Sequence, residues 1–429
     1  MKVRTMSRRS VKVRGIVLTS FVGAAVLALS ACTPPLPPDV LAAQAESQIQ
    51  CQVGETTVST PEAFSGSMAA VGLGLGGVCP EQTVLEVPAT DPAPLALVDK
   101  TPTQADIDAF AAASCPAGEV IVIPAFAYPV TIAYNVVGLE GVVMTPEIVA
   151  GILNGTITSW EDPLIAESNP DFDFTLLPPM TVMSVESPQG SVEAMTSWLA
   201  KEAPDQWTKG TVGTLEGTQV FPTTTDMIAE MIAIESSIAI LPVFQAFANV
   251  LATANLPVTL EDGSELVITT DDVQLYKVGS GATTVTTDEV TGSIFASPAI
   301  GGVPVEGNFD LASSKIVLGE DQPLVGWPVN GYAHLLICDD PADPLPLSFA
   351  QYVVRLAGQG ALETFGVTPM PEPIRIQTFI PLKVTVNVDG EAPQDPALDE
   401  QIVDEEIDQG LTPEEAESAV ASAEAVPAE

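Results

Sequence analysis

The stretch Thr145-Pro-Glu-Ile-Val-Ala-Gly-Ile-Leu-Asn-Gly-Thr-Ile-Thr-Ser-Trp-Glu-Asp-Pro-Leu-Ile-Ala-Glu-Ser-Asn-Pro170 decides the fold. Thr145 suits a helix N-cap, Pro146 the first helical position, and Gly155 the residue past the end. Ile148, Val149, Ile152 and Leu153 recur at helical spacing and make one apolar face.

On either side, helical and strand patterns alternate. Upstream, Thr103–Ser114 has a helical pattern, followed by apolar strands over Glu119–Pro124 and Val130–Val136. Downstream, strands are expected over Leu177–Met183, Ser237–Leu241, Leu266–Thr269 and Gly331–Ile337. Helices are expected over Val192–Lys201, Thr225–Ile234 and Leu347–Leu356. This alternation predicts an α/β fold with mainly parallel, buried strands.

The chain's 429 residues, 46% of them hydrophobic and only 5% aromatic, give a real core, while 38 Pro and 32 Gly make it rich in loops. The N-terminus has the pattern of an export signal. Lys2, Arg4, Arg8, Arg9, Lys12 and Arg14 precede the apolar run Gly15–Leu29, which ends in Leu29-Ser-Ala-Cys32. That ending resembles a bacterial lipobox. It predicts a lipoprotein signal over residues 1–32, Cys32 as the lipidated residue, and a tether over 33–50. The expected location is the outer face of the cytoplasmic membrane, held through the lipid alone.

After Cys32, eight basic and 56 acidic residues remain, a net charge near −48. A polyanion of this size excludes nucleic-acid binding through a general field, and any anion site has to be local. No basic residue follows Lys383, and 14 acidic ones lie between Asp389 and Glu429, so residues 383–429 are expected as a solvated, disordered acidic tail. Four cysteines remain beside Cys32: Cys51, Cys79, Cys115 and Cys338. In an exported chain they suggest two disulfides, with three pairings open. His334 is the only histidine, and there is no C-x-x-C, Cys/His cluster or G-x-S-x-G. The expectation is therefore a chain that is not an enzyme, with no catalytic residues, no metal and no cofactor.

The opening stretch also resembles the segment T-P-E-x-L-A-x-I-x-x-G-x-I-x-x-W-x-D-P-x-I-A-x-x-N-P of the substrate-binding proteins of phosphate ABC transporters. Further pieces follow in that family's order. Val98–Thr103 is similar to its S-D-x-P-L-T element, and Ala125–Asn135 to its first inter-lobe crossover. Ile234–Ile240 is similar to T-x-G-S-I-G-Y, and Trp327–Tyr332 to the second crossover. Gly358-Gln-Gly360 and Gly366–Pro371 match the C-terminal helix and its exit. The resemblance runs from about Pro94 to Pro373. It implies a two-lobed periplasmic-binding-protein-like fold of type II. Lobe 1 would comprise residues 51–130 and 334–382, and lobe 2 residues 131–333.

The resemblance also implies a site for one oxyanion, phosphate or a relative, and an ABC permease as partner. Asp99 matches the aspartate that accepts a hydrogen bond from the protonated ligand, although Val98 replaces the serine before it. Glu186–Met195 matches the family's R-x-D-G-S-G-T loop. Gln189, Gly190 and Ser191 stand at its donor positions, Ser187 at the aspartate and Val185 at the arginine. Without that guanidinium, phosphate loses charge-assisted hydrogen bonds of about 1.5–3 kcal/mol each. Considered without the family, the loop is a helix start with Ser187 as N-cap and Pro188 as the first helical residue. Ser65 and Ser67 match the N-terminal glycine/serine loop at an unusually short spacing from Asp99. Lys100 is the basic residue nearest in sequence to a site element. The alternative to an importer component is a binding-protein-like surface interaction or sensing module that has lost anion binding.

Overall fold

The computed structural model describes Gln44, Glu46 and residues 48–259, 263–270, 283–288, 290–298 and 327–384. The signal segment, Cys32, nearly all of the 33–50 tether and the tail from residue 385 lie outside the described residues. The strands are β1 (Gly54–Thr60), β2 (Gln82–Pro88), β3 (Leu95–Val98), β4 (Glu119–Asn135), β5 (Thr181–Val185), β6 (Gln219–Phe221), β7 (Ser237–Pro242) and β8 (Ala252–Thr253). They continue with β9 (Leu256–Thr259), β10 (Glu265–Ile268), β11 (Thr283–Thr287), β12 (Ile294–Pro298) and β13 (Asn330–Asp339). The helices are α1 (Ser67–Val78), α2 (Gln104–Ser114), α3 (Pro146–Leu153), α4 (Pro163–Ser168) and α5 (Gly190–Glu202). After them come α6 (Thr224–Ala233), α7 (Val243–Ala248), α8 (Leu345–Val353), α9 (Leu356–Phe365) and α10 (Glu372–Thr378).

The main sheet runs β2-β1-β3-β13-β4-β7-β5-β6, with β8 also on β4. Its outer pairs are parallel, whereas β13 and β4 pair antiparallel with each other and with their neighbours. The sheet is therefore mixed, not mainly parallel. The cause is β4. The sequence suggests two strands divided around Pro124 and Pro129, but the intervening residues are apolar and buried, and the chain stays extended through them. A bulge in the ladder at Ala333/His334 lies beside Pro124, where the missing N–H costs no regular ladder bond. Up to Pro129, β4 pairs with β13; from Val130 onward its partner is β7. One strand thus belongs to both half-sheets.

The second crossover lies against the first. Trp327 Nε1 donates to the Val130 carbonyl at 2.9 Å, and the Val130 N–H donates to the Val329 carbonyl at 2.9 Å.

The stretch from Thr145 to Pro170 folds onto β4 from the β7 side. Thr145 caps α3 through the Ile148 N–H, and Pro146 opens the helix. Trp160 is fully buried, 5.3 Å from the Tyr134 ring, and donates to Ser236 Oγ at 3.2 Å. Asn169 closes the unit, bonding both backbone groups of Val143. The matched polar and aromatic residues of this stretch therefore serve packing.

The start of one strand differs from the sequence pattern. Pro178 and Pro179 remove ladder donors, so β5 begins only at Thr181. The hairpin β11–β12 falls within the span assigned to lobe 2, yet it packs against the other half-sheet. Phe295 joins Val122 and Leu336, and Ala296 joins Ala127 and Tyr332. The cysteines pair as Cys51–Cys79 and Cys115–Cys338; the second ties the end of α2 to β13.

Candidate functional site

The site is built where the loop after β3 meets the start of α5. Asp99, Lys100 and Thr101 follow β3, and three bonds pin them. Tyr128 Oη donates to the Asp99 carbonyl at 2.5 Å, His334 Nδ1 to the Lys100 carbonyl at 3.0 Å, and Thr101 Oγ1 to the Ala296 carbonyl at 2.9 Å. His334 Nε2 accepts the Ala296 N–H at 3.0 Å, which assigns the proton to Nδ1. Burial lowers the pKa of this histidine to about 4, so it is neutral at physiological pH. Burial, reinforced by Asp99 and Glu193, pushes the Tyr128 phenol well above its ordinary value and keeps it a donor.

Opposite this loop, α5 begins at Gly190 and not at Pro188. Gln189 is the N-cap residue, with its N–H on the Gly213 carbonyl at 2.9 Å and its amide on Thr224 Oγ1 at 2.9 Å. Ser187 is therefore not the cap. The Gly190 N–H, the first orphan donor of the helix, points at Asp99 and donates to its carboxylate at 2.9 Å. The approach is so close that a Cβ on Gly190 would lie 1.7 Å from the Asp99 carbonyl oxygen and 2.5 Å from Tyr128 Oη. Loss of water raises the Asp99 pKa, and the Gly190 N–H opposes that rise.

The other candidate residues lie elsewhere. Ser191 is buried. Ser65 is exposed beyond a single 3-10 turn, Glu62–Phe64. Ser67 opens α1 with a buried, unpartnered hydroxyl. At that helix start too a carboxylate of the chain takes the donors: Glu86 accepts from Gly66 N–H at 2.7 Å and Ala69 N–H at 3.0 Å. Val185 belongs to an apolar cluster with Met183, Met227 and Ile228.

Asp99 and Gly190 form one wall of a cavity of about 280 Å³ that also takes in Lys100, Glu193, Ser197 and Thr211. Lys100 pairs with Asp106 at 3.4 Å, and Ser197 and Thr211 share a hydroxyl bond of 2.9 Å. Elsewhere the two half-sheets meet directly. Glu62 accepts from the Thr225 N–H at 3.2 Å and from its hydroxyl, Gln245 donates to the Ala63 carbonyl at 3.2 Å, and Phe64 lies 5.5 Å from Phe244. Sequence reasoning missed Glu193 and Ser197, because nothing in the local pattern of α5 separates its cavity-facing positions from its core-facing ones, and it missed Thr211, which lies in the loop beyond that helix. Among the described residues no group of three or more His, Cys, Asp or Glu is placed to hold a metal, and no helix is long and apolar enough to cross a membrane.

No family model matches the chain, and no curated protein matches it in sequence. Solved structures do. A DING protein is 12% identical with a TM-score of 0.51, over 75% of this chain and 93% of its own. An ancestral soluble variant of the human phosphate binding protein is 12% identical with a TM-score of 0.51, over 76% and 93%. A human phosphate binding apolipoprotein is 12% identical with a TM-score of 0.50, over 75% and 93%. The chain has the fold of these binding proteins, a mixed α/β architecture around a central sheet.

Proposed function

We propose that the chain is an extracytoplasmic solute-binding protein, lipid-anchored through Cys32 and serving an ABC permease, whose phosphate seat is occupied by its own Asp99. The observation that carries this reading is the Asp99 carboxylate on the Gly190 N–H, beside a cavity that remains open. In the family that the sequence resembles, an aspartate and a helix start face each other across a protonated oxyanion. Here they bond directly, and the nearest cation, Lys100, is already paired with Asp106. A fold that serves many ligands keeps its scaffold when one ligand's chemistry is lost. Of the six ligand residues inferred from the sequence, Asp99 and Gly190 line this cavity, and Gln189, Ser191, Ser65 and Ser67 are not among its lining residues.

A second reading, an interaction or sensing module without a solute, draws on the direct contacts between half-sheets at Glu62–Thr225 and Phe64–Phe244. Calorimetry and thermal shift with phosphate, sulfate and a panel of small polar solutes separate the two. The expected result is no tight binding of phosphate and a saturable response to another solute. Micromolar phosphate binding that disappears in Asp99→Ala would restore the phosphate reading. Silence toward every solute favours the module.

A further inference from the structure

Besides Asp99, two charged side chains of opposite sign line the cavity. Lys100 follows β3, and Glu193 stands in the first turn of α5. The printed ion pair of Lys100 is with Asp106 at 3.4 Å, and an ammonium has three donors to distribute. Glu193 is partly buried, yet its carboxylate makes no ion pair or hydrogen bond among the described residues. A carboxylate withdrawn from water without a donor is costly, and a ligand donor would remove that cost. Burial raises the Glu193 pKa, and Lys100 opposes that rise without forming an ion pair with it. Both side chains line the cavity.

Charge then selects the ligand class. A simple anion at Lys100 meets Asp99, Asp106 and Glu193; a simple cation at Glu193 is drawn by Asp99 and Asp106 but repelled by Lys100. A molecule with both charges satisfies both side chains. The Ser197–Thr211 hydroxyl pair adds hydrogen-bonding capacity. A volume of about 280 Å³ is just under the roughly 300–1,000 Å³ of drug-sized sites, so it suits a solute of few heavy atoms.

We infer that this cavity binds a small zwitterion of the α-amino-acid type, its carboxylate on Lys100 and its ammonium on Glu193. The inference rests on the solute-binding reading above and adds the solute's class. It does not require Asp99 to leave Gly190.

The test is calorimetry on the purified full chain with glycine, L-alanine, L-serine and L-glutamine. Ethanolamine and propionate serve as single-charge controls, with phosphate and glycerol as other solutes. At least one amino acid should bind saturably, and each single-charge control at least tenfold more weakly. Glu193→Gln and Lys100→Met should each weaken amino-acid binding tenfold or more, and Lys100→Arg should retain it. Ligand-free melting curves of all three variants check that they fold. Ethanolamine binding as tightly as the amino acids, untouched by Lys100→Met, would overturn the inference in favour of a cation site. Binding of phosphate or glycerol with no amino-acid response overturns the inference and leaves the solute-binding reading standing. No response to any compound overturns both.

Discussion

The Asp99 carboxylate accepts the Gly190 N–H at 2.9 Å, so the chain supplies its own anion to the helix start that faces the cleft. A helix N-terminus attracts negative charge through its orphan donors and its dipole, whatever the source of that charge. Glu86 does the same at α1 through Gly66 and Ala69. The two helix starts at which the resemblance places anion donors are both capped from within.

This capping has a measurable cost. Burial raises the Asp99 pKa above its ordinary value, so the folded state holds that proton more tightly than the unfolded chain. Its contribution is fully favourable below the unfolded pKa, near 3.9, and is lost as pH rises through the folded value. Asp99→Asn keeps an acceptor for Gly190 and removes the charge. At pH 7 the variant should melt at or above the wild-type temperature, with the difference shrinking as pH falls toward 4. A loss of more than about 1 kcal/mol at pH 7 would show that the charge itself stabilises the fold.

Gly190→Ala tests the closeness of the approach. The new Cβ would overlap the Asp99 carbonyl oxygen, a backbone atom held by Tyr128. Overpacking of this kind costs about 1–3 kcal/mol, or the half-sheets separate to relieve it. The expected outcome is a lower melting temperature, a larger radius of gyration by small-angle scattering, or both. Wild-type values for both would contradict the contact.

His334 has the opposite pH signature to Asp99. Its folded pKa of about 4 is below the unfolded value near 6.5, so its contribution is complete above 6.5 and is lost as pH falls toward 4. The slope within that window is about 1.4 kcal/mol per pH unit. Urea unfolding between pH 4 and 7 should show this component in the wild type and not in His334→Gln. An unchanged slope in the variant would mean that His334 is not held neutral.

The Cys115–Cys338 bridge joins α2 to β13, the strand that carries His334. It spans 223 residues, and loop-closure entropy for so long a loop predicts about 5 kcal/mol of stabilisation. The double variant Cys115→Ser/Cys338→Ser should lose a large part of that in chemical denaturation. Loss of the Cys51–Cys79 bridge, with a separation of 28, should cost less. The reverse order would rule out the entropic account for this chain.

Much of the architecture was legible because it is locally encoded. Thr145, Pro146 and Gly155 mark the limits of α3 in sequence and in space, and the α5, α6 and α8 patterns fall within three residues of the observed helix ends. The continuity of β4 was not legible: two prolines look like strand ends until the partner strand supplies a bulge beside one of them. The start of α5 was also misplaced, because Ser187-Pro188 is a good local helix entry. The chain prefers Gly190, whose N–H meets a carboxylate 91 residues away.

The sequence by itself determined the class of fold, the extreme negative charge and the absence of an arginine at Val185, since composition, periodicity and residue identity are properties of the chain alone. Only the tertiary structure decided what meets the Gly190 N–H. Asp99 and Gly190 are distant in sequence, and whether a carboxylate faces a ligand or an N–H depends on how closely two half-sheets pack. The same packing brings Lys100 and Glu193 to the lining of one cavity, a juxtaposition no local pattern encodes.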